Sequence, residues 1–229
     1  MRAFCFLLCG ILAAQSPPRF GVAVGASTLG AEVQAATAVM PSANVRFGFN
    51  AFSYNDTFAS HGIGYKGTLN LRSAEVLYDQ FIKGPLHVSG GLLIYDGNKV
   101  DGAASVPAGQ TFTLGGTTYF SQPGNAISGT GRVETRKVSP MVLIGFGNLL
   151  PRSAKHFTVN FDVGVVFQGS PNARLRLKGG ACVVAGVCLD AATNTEVQTN
   201  IAAEQTHISD SLMPFRYYPV VSLTFGYKF

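Results

Sequence analysis

The chain has 229 residues, long enough for one domain with a sizeable interior, and carries a formal net charge of +5. Only 13% of its residues are charged, with 27 Gly, 17 Phe, 8 Tyr and no Trp. An ordinary soluble domain carries about 25% charge, so this chain lacks the usual polar shell. The basic residues are scattered singly, with no Lys/Arg run that would suggest nucleic-acid binding.

The first residues read as an export signal. Arg2 supplies a positive start, Phe4 to Leu12 an apolar run, and Ala13 and Ala14 small residues for cleavage within about 14–16. Residues 1–14 are therefore expected to be removed, leaving 17–229 as one domain. Beyond them no stretch reaches the roughly 18 apolar residues of a membrane helix. Low charge, many aromatics and no helical span leave the other membrane solution, a closed β-barrel.

Period-two alternation then recurs along the chain. Phe20, Val22, Val24 and Ala26 alternate with Gly21, Ala23, Gly25 and Ser27, and a turn is expected at Thr28–Gly30. Val33, Ala35, Thr37 and Val39 alternate with Glu32, Gln34, Ala36 and Ala38. Val45, Phe47, Phe49 and Ala51 alternate with Arg46, Gly48 and Asn50. Between Ile63 and Phe81 the pattern changes phase. Leu69 and Leu71 share a face that would carry Glu75 and Asp79 into lipid. A β-bulge near Arg72–Ala74 is expected to restore the register, with Glu75 and Asp79 inside and Ala74, Val76 and Tyr78 outside. Leu86, Val88, Gly90, Leu92 and Ile94 alternate with His87, Ser89, Gly91 and Tyr95. Val142, Ile144 and Phe146 form another outward set. So do the odd positions from Phe157 to Phe167, against Thr158, Asn160, Asp162 and Gly164. At the C-terminus Val221, Leu223, Phe225, Tyr227 and Phe229 share one face.

Short breaks at Pro41–Asn44, Lys83–Pro85 and Pro151–His156 read as periplasmic turns. Longer breaks, above all 97–135 and 169–214, read as extracellular loops. The expected fold is all-β: an antiparallel up-and-down transmembrane β-barrel of eight strands with a polar, plugged interior. Its location would be the outer membrane of a Gram-negative bacterium.

An eight-stranded barrel is about filled by its own side chains. Glu32, Arg46, Asn50, Arg72, Glu75, Asp79, His87, Asn160 and Asp162 are the expected plug, paired because buried charge needs partners. A proton or ion path, or a catalytic cluster, formed by the same residues is the alternative reading. Cys182 and Cys188 form an even pair suited to a disulfide in an oxidising compartment. No metal cluster or cofactor motif is seen, and Gly62–Gly64 and Gly179–Gly180 are not phosphate loops. His207 lies near Glu204, Ser209 and Asp210, so the parts of a Ser/His/acid set exist, and His61 offers a second loop histidine. A triad requires geometry, however, and no catalysis is inferred.

Several segments resemble a family of proteobacterial outer-membrane β-barrel proteins of unassigned activity. They are Ser27–Gly30, Asn44–Tyr54, Leu71–Ser73, Tyr95–Lys99, Asp162–Gly169 and Tyr218–Ser222, in order along the chain. The resemblance implies the barrel fold and location. The terminal alternation ending in Tyr227 and Phe229 resembles the signature that barrel-assembly machinery recognises. At fold level the chain is also similar to the OmpA membrane domain, OmpX and PagP. The expected partners are that machinery, outer-membrane lipid and lipopolysaccharide, with unknown contacts of the loops. A structural or surface-interaction role is the leading reading. A narrow, porin-like channel or conduit for small apolar molecules and a lipid A-modifying enzyme are the alternatives. A soluble carrier would need the inverse pattern, an apolar lumen and a polar exterior.

Overall fold

The computed structural model describes residues 19–60, 63–96, 98–184 and 186–229. The expected signal segment and His61 lie outside them. The chain starts with β1 (Phe20–Ser27), β2 (Gly30–Met40), β3 (Ala43–Ser60), β4 (Ile63–Lys83) and β5 (Leu86–Asp96). β6 (Lys99–Ser105), β7 (Thr111–Leu114), β8 (Thr117–Ser121) and β9 (Ser128–Glu134) follow. Then come β10 (Ser139–Phe146), β11 (Phe157–Phe167), β12 (Asn172–Lys178), β13 (Gly180–Val184) and β14 (Val187–Asp190). Helix α1 (Thr195–Ser211) and β15 (Tyr217–Lys228) complete the chain.

The strands pair antiparallel in the succession β4, β3, β2, β1, β15, β11, β10, β5, and β5 returns to β4. The ladder therefore closes into a ring, which removes free strand edges. β1 and β2 are joined by a tight hairpin at Thr28–Leu29, where the sequence predicts a turn. Gly84, with φ of +58°, turns β4 into β5 just before Pro85. We call the end carrying that turn and the 147–156 segment the turn end.

The count of eight strands does not describe the whole sheet, which has eleven. β4 is long enough to serve two neighbours. Its second half, from Ser73, pairs with β5, and Gly64–Asn70 pairs with β6. β9 and β12 extend the sheet beyond β6. β7, β8, β13 and β14 form a separate four-stranded sheet. The segments 97–135 and 169–214 are thus not irregular loops but together build a head. Its apolar core includes Val106, Phe112, Leu114, Tyr119, Ile127, Leu175, Leu177, Val197 and Ile201. Asn194 caps α1, its side-chain oxygen accepting from the backbone N–H of Glu196 and Val197. Along β12 the outward-lying backbone N–H groups of Ala173 and Leu175 donate to Ser209 Oγ and Gln205 Oε1 of this helix.

The expected bulge in β4 is also corrected. β4 runs against β3 without a slip from Ala43↔Gln80 to Ser60↔Ile63. Leu71, Ser73, Glu75, Leu77 and Asp79 are all buried on one face, while Arg72 is exposed on the other. Arg72 is therefore not part of the plug. What changes near Arg72 is the surroundings of each face. Below it the outer face is apolar and the inner face polar; above it Lys66, Thr68 and Asn70 lie outside and Tyr65, Leu69 and Leu71 inside. β3 switches at the paired position. Val45, Phe47, Phe49 and Ala51 give way to Ser53, Asn55 and Thr57 on the outer face. Ser53 and Thr68 donate across the strands to Asn70 and Asn55, at 3.1 and 2.7 Å. A register shift does occur nearby, but in the pairing with β5. Ala74 faces Tyr95 while Glu75 faces Leu93, which leaves Ile94 as the extra residue.

Candidate functional site

Inside the ring, alternation delivers polar side chains from most of the strands to a common interior. Arg46 of β3 lies at its centre, with Asp79 Oδ2 2.7 Å from its Nε and Asp162 Oδ2 2.8 Å from its Nη1. Its other Nη donates to Ser89 Oγ at 3.2 Å, and that hydroxyl donates to Asp79 at 2.6 Å. His87 Nε2 is 2.9 Å from the second oxygen of Asp162. The planar guanidinium suits this role because its fork of donors can serve two carboxylates at once. A second group lies toward the head. Gln34 donates to Glu32, Ser222 donates to Glu32 at 2.6 Å, and Asn50 donates to Glu75 at 3.4 Å.

Two glycines make room for this network. Gly145 of β10 stands between His87 and Asp162 in the ladder, and a Cβ there would land on both of their interacting atoms. Gly48 stands between Gln34 and Glu75, and a Cβ there would lie 2.6 Å from Glu75 Oε1. Each glycine lets side chains from the flanking strands meet over a bare backbone. Much of the rest of the interior is apolar, with Ser73, Ser139 and Thr224 buried among it. Leu149 and Leu150 fold in against Ala23 and Ala36 at the turn end. Leu77, Leu93, Met141, Leu143, Val166 and Val220 fill much of the head end. Asn160 is buried with neither side-chain polar atom hydrogen-bonded among the described residues, so it lies apart from the network.

The structure thus gathers Glu32, Arg46, Asn50, Glu75, Asp79, His87 and Asp162 and leaves out Arg72 and Asn160. Ser89 and Ser222 join them. A lone Ser on an inward position carries no signal in the sequence, although its place in the alternation could have marked it. Cys182 and Cys188 are opposed in the β13–β14 hairpin and bonded to each other. Tyr227 and Phe229 lie at the turn end, 5.2 Å apart edge to face, and Phe20 stacks on Phe229.

The Ser/His/acid residues of the second long segment sit on α1 and make other bonds. Ser209 Oγ donates to the Gln205 carbonyl, and Ser211 Oγ donates to the His207 carbonyl rather than to its ring. Glu204 accepts from the Gly115 N–H at 3.3 Å. Among the described residues, no Ser–His–acid relay is formed.

The head presents a different surface. Lys66, Arg132, Arg174 and Arg176 line an open cleft of about 560 Å³ on the outer face of the β4–β6–β9–β12 sheet. These cations are far apart in the chain, and pairing in the sheet is what collects them. The strict alternation of Asn172 to Lys178, basic on one face and Ala173, Leu175 and Leu177 on the other, is a strand signal that could have been read. Asp101 lies in the same cleft. The ammonium of Lys99, 2.9 Å away, and the guanidinium of Arg132, 2.6 Å away, hold its carboxyl below the usual range. Behind the sheet Tyr65 is half-buried, and that burial, with Glu204 nearby, pushes its hydroxyl up.

These features define a class: a closed antiparallel β ring with a filled interior and a folded head. Two solved structures share the fold. CarO of Acinetobacter baumannii is 17% identical, with a TM-score of 0.53 over 90% of this chain and 96% of that one. CarO2 of the same organism is also 17% identical, with a TM-score of 0.56 over 92% and 98%. The likeness is one of fold, and it is to CarO rather than specifically to the OmpA membrane domain, OmpX or PagP. No family model and no curated protein matches the chain.

Proposed function

We propose that the ring is an eight-stranded barrel spanning the outer membrane of a Gram-negative bacterium, closed to solute by its own interior, with the head displayed for surface contacts. The carrying observation is the outer face of the ring. Phe146, Phe157 and Phe229 are 62%, 81% and 68% exposed, in company with Val24, Val33, Phe47, Phe49, Ile144 and Phe225. So large a continuous apolar surface would not stay monomeric in water. Aromatic pairs stand at both ends of β11, Phe157 with Tyr227 and Phe167 with Tyr217. Ten residues separate Phe157 from Phe167, which at the usual rise and strand tilt is about 25 Å of height, the apolar band of a bacterial barrel.

Among the described residues the interior shows no Ser or Cys hydrogen-bonded to a His, and the ion pairs are read as a structural plug. No catalytic activity is part of this proposal. The C-terminal strand, ending in Tyr227 and Phe229, is the segment the assembly machinery would engage. Outer-membrane lipid is the surrounding partner.

One observation favours a second reading. An apolar cavity of about 470 Å³ lies where the head meets the ring, lined by residues that include Leu69, Leu71, Val133, Leu212, Phe215 and Tyr218. It would suit a conduit for small apolar molecules. Heat-dependent gel mobility of the purified chain tests the barrel. Reconstitution into planar bilayers tests closure: no conductance is expected, and steady conductance would overturn the plug and leave the conduit standing.

A further inference from the structure

We propose that the basic cleft of the head binds the phosphate groups of the outer-leaflet lipopolysaccharide headgroup, fixing the head against the membrane surface. This rests on the outer-membrane reading. The cleft is built by two rows of side chains running across four paired strands. One row is Lys66, Ala103, Thr130 and Arg176; the next is Thr68, Asp101, Arg132 and Arg174. In the first row the cations stand at the two sides, with a methyl and a hydroxyl between them. That leaves a trough with positive walls and a donor on its floor.

The second row sets Arg132 directly opposite Arg174. Like charges facing across a strand pair are destabilising. Asp101, bonded to Arg132, and Glu134, 3.8 Å from Arg174, offset this only in part. Among the described residues Lys66 and Arg176 form no ion pair. A bound anion would relieve this arrangement, and phosphate matches it best, since arginine forks take two phosphate oxygens in parallel.

Position selects the source of the phosphate. Lys66, Thr68, Asn70 and Arg72 lie on the same face of β4 as Ala74, Val76 and Tyr78. The trough therefore continues the lipid-facing wall upward past the point where the wall turns polar. From Arg72 to Thr68 and Lys66 is roughly 14 to 20 Å along the strand. Along a strand tilted by about 40° that is roughly 10 to 15 Å of height, within reach of the phosphorylated headgroup sugars that lie outside the apolar band. A phosphorylated glycolipid anchored beside β4 could place its phosphates in the trough without leaving the leaflet.

The test uses the full mature chain refolded in zwitterionic detergent. The ligands are rough lipopolysaccharide with its headgroup phosphates and the same lipid after phosphatase treatment, with binding read by native mass spectrometry. The K66A/R174A/R176A variant should bind the phosphorylated lipid at least about tenfold more weakly, and the dephosphorylated lipid should bind the unmodified chain equally weakly. R176E should lose more than R176Q, which keeps the proposal falsifiable if the triple variant does not fold. R152A/K155A, at the turn end, should bind as the unmodified chain does. Unchanged binding by R176E and the triple variant, or equal binding of dephosphorylated lipid, overturns the proposal. Inorganic pyrophosphate binding as tightly as the lipid would also overturn it, by making the trough a soluble-anion site. Heat-dependent mobility of the same samples reports on the barrel separately, so failure of the lipid site is distinguishable from failure of the membrane reading.

Discussion

The ring and the head are built on opposite plans. In the ring, charge is buried around Arg46 and the aromatics face outward; in the head, Phe112, Tyr119 and Ile201 are buried and the arginines face outward. β4 belongs to both, and its odd residues keep to one side throughout. The phase change in its sequence is therefore not a slip of the backbone. It marks the level at which the solvents on the two faces exchange places. Any strand that passes from an apolar surround into a folded head must show such an exchange, and its position marks the boundary between the two. Here β3 and β4 agree on it, at the facing residues Ala51 and Arg72.

If the two compartments are stabilised separately, substitutions in each should stay local. The largest effect is expected from Arg46→Ala, which leaves Asp79 and Asp162 buried without their cation. Removing one partner of a buried pair costs about 3–5 kcal/mol. Heat-dependent gel mobility should show the ring opening at markedly lower temperature, while hydrogen exchange in β7, β8 and β13 stays slow. Next is Ile201→Ala, which empties part of the head core at a cost of about 3 kcal/mol. Exchange in the head should then accelerate with ring mobility unchanged. Smallest is the C182S/C188S pair. A short closed loop of this kind contributes about 2 kcal/mol. Limited proteolysis should reach the β13–β14 hairpin sooner, with no change elsewhere. Coupled loss of ring and head in the first two variants would show instead that β4 transmits instability between them, and the separation would fail.

The ring was largely readable from alternation, because each wall strand is apolar on its outer face and carries polar groups on its inner face. Phe157 to Phe167 and Val221 to Phe229 are long enough to show this alone. Arg46, Asp79 and Asp162 stood out because a charge inside an apolar strand requires an interior partner. The head was not readable, for two physical reasons. Its strands are short, as at Thr111–Leu114, and the pairing that joins its two segments, β8 with β13, spans some sixty residues. Its helix is mostly polar, with only Val197 and Ile201 buried, so it shows no broad apolar stripe. Arg72 was misplaced because a single rule for inside and outside was carried past the level where it holds.

The bonds from α1 to β12 have a consequence for how copies of the chain meet. The head sheet, unlike the ring, does not close, and β12 is its last strand. A bare last strand is a template on which a neighbouring molecule can add its own. Ser209 and Gln205 occupy two of the N–H groups that such an intruder would need. The helix thus guards this edge against copy-to-copy strand addition, and on the proposed outer-membrane reading it would keep the heads of neighbouring molecules apart.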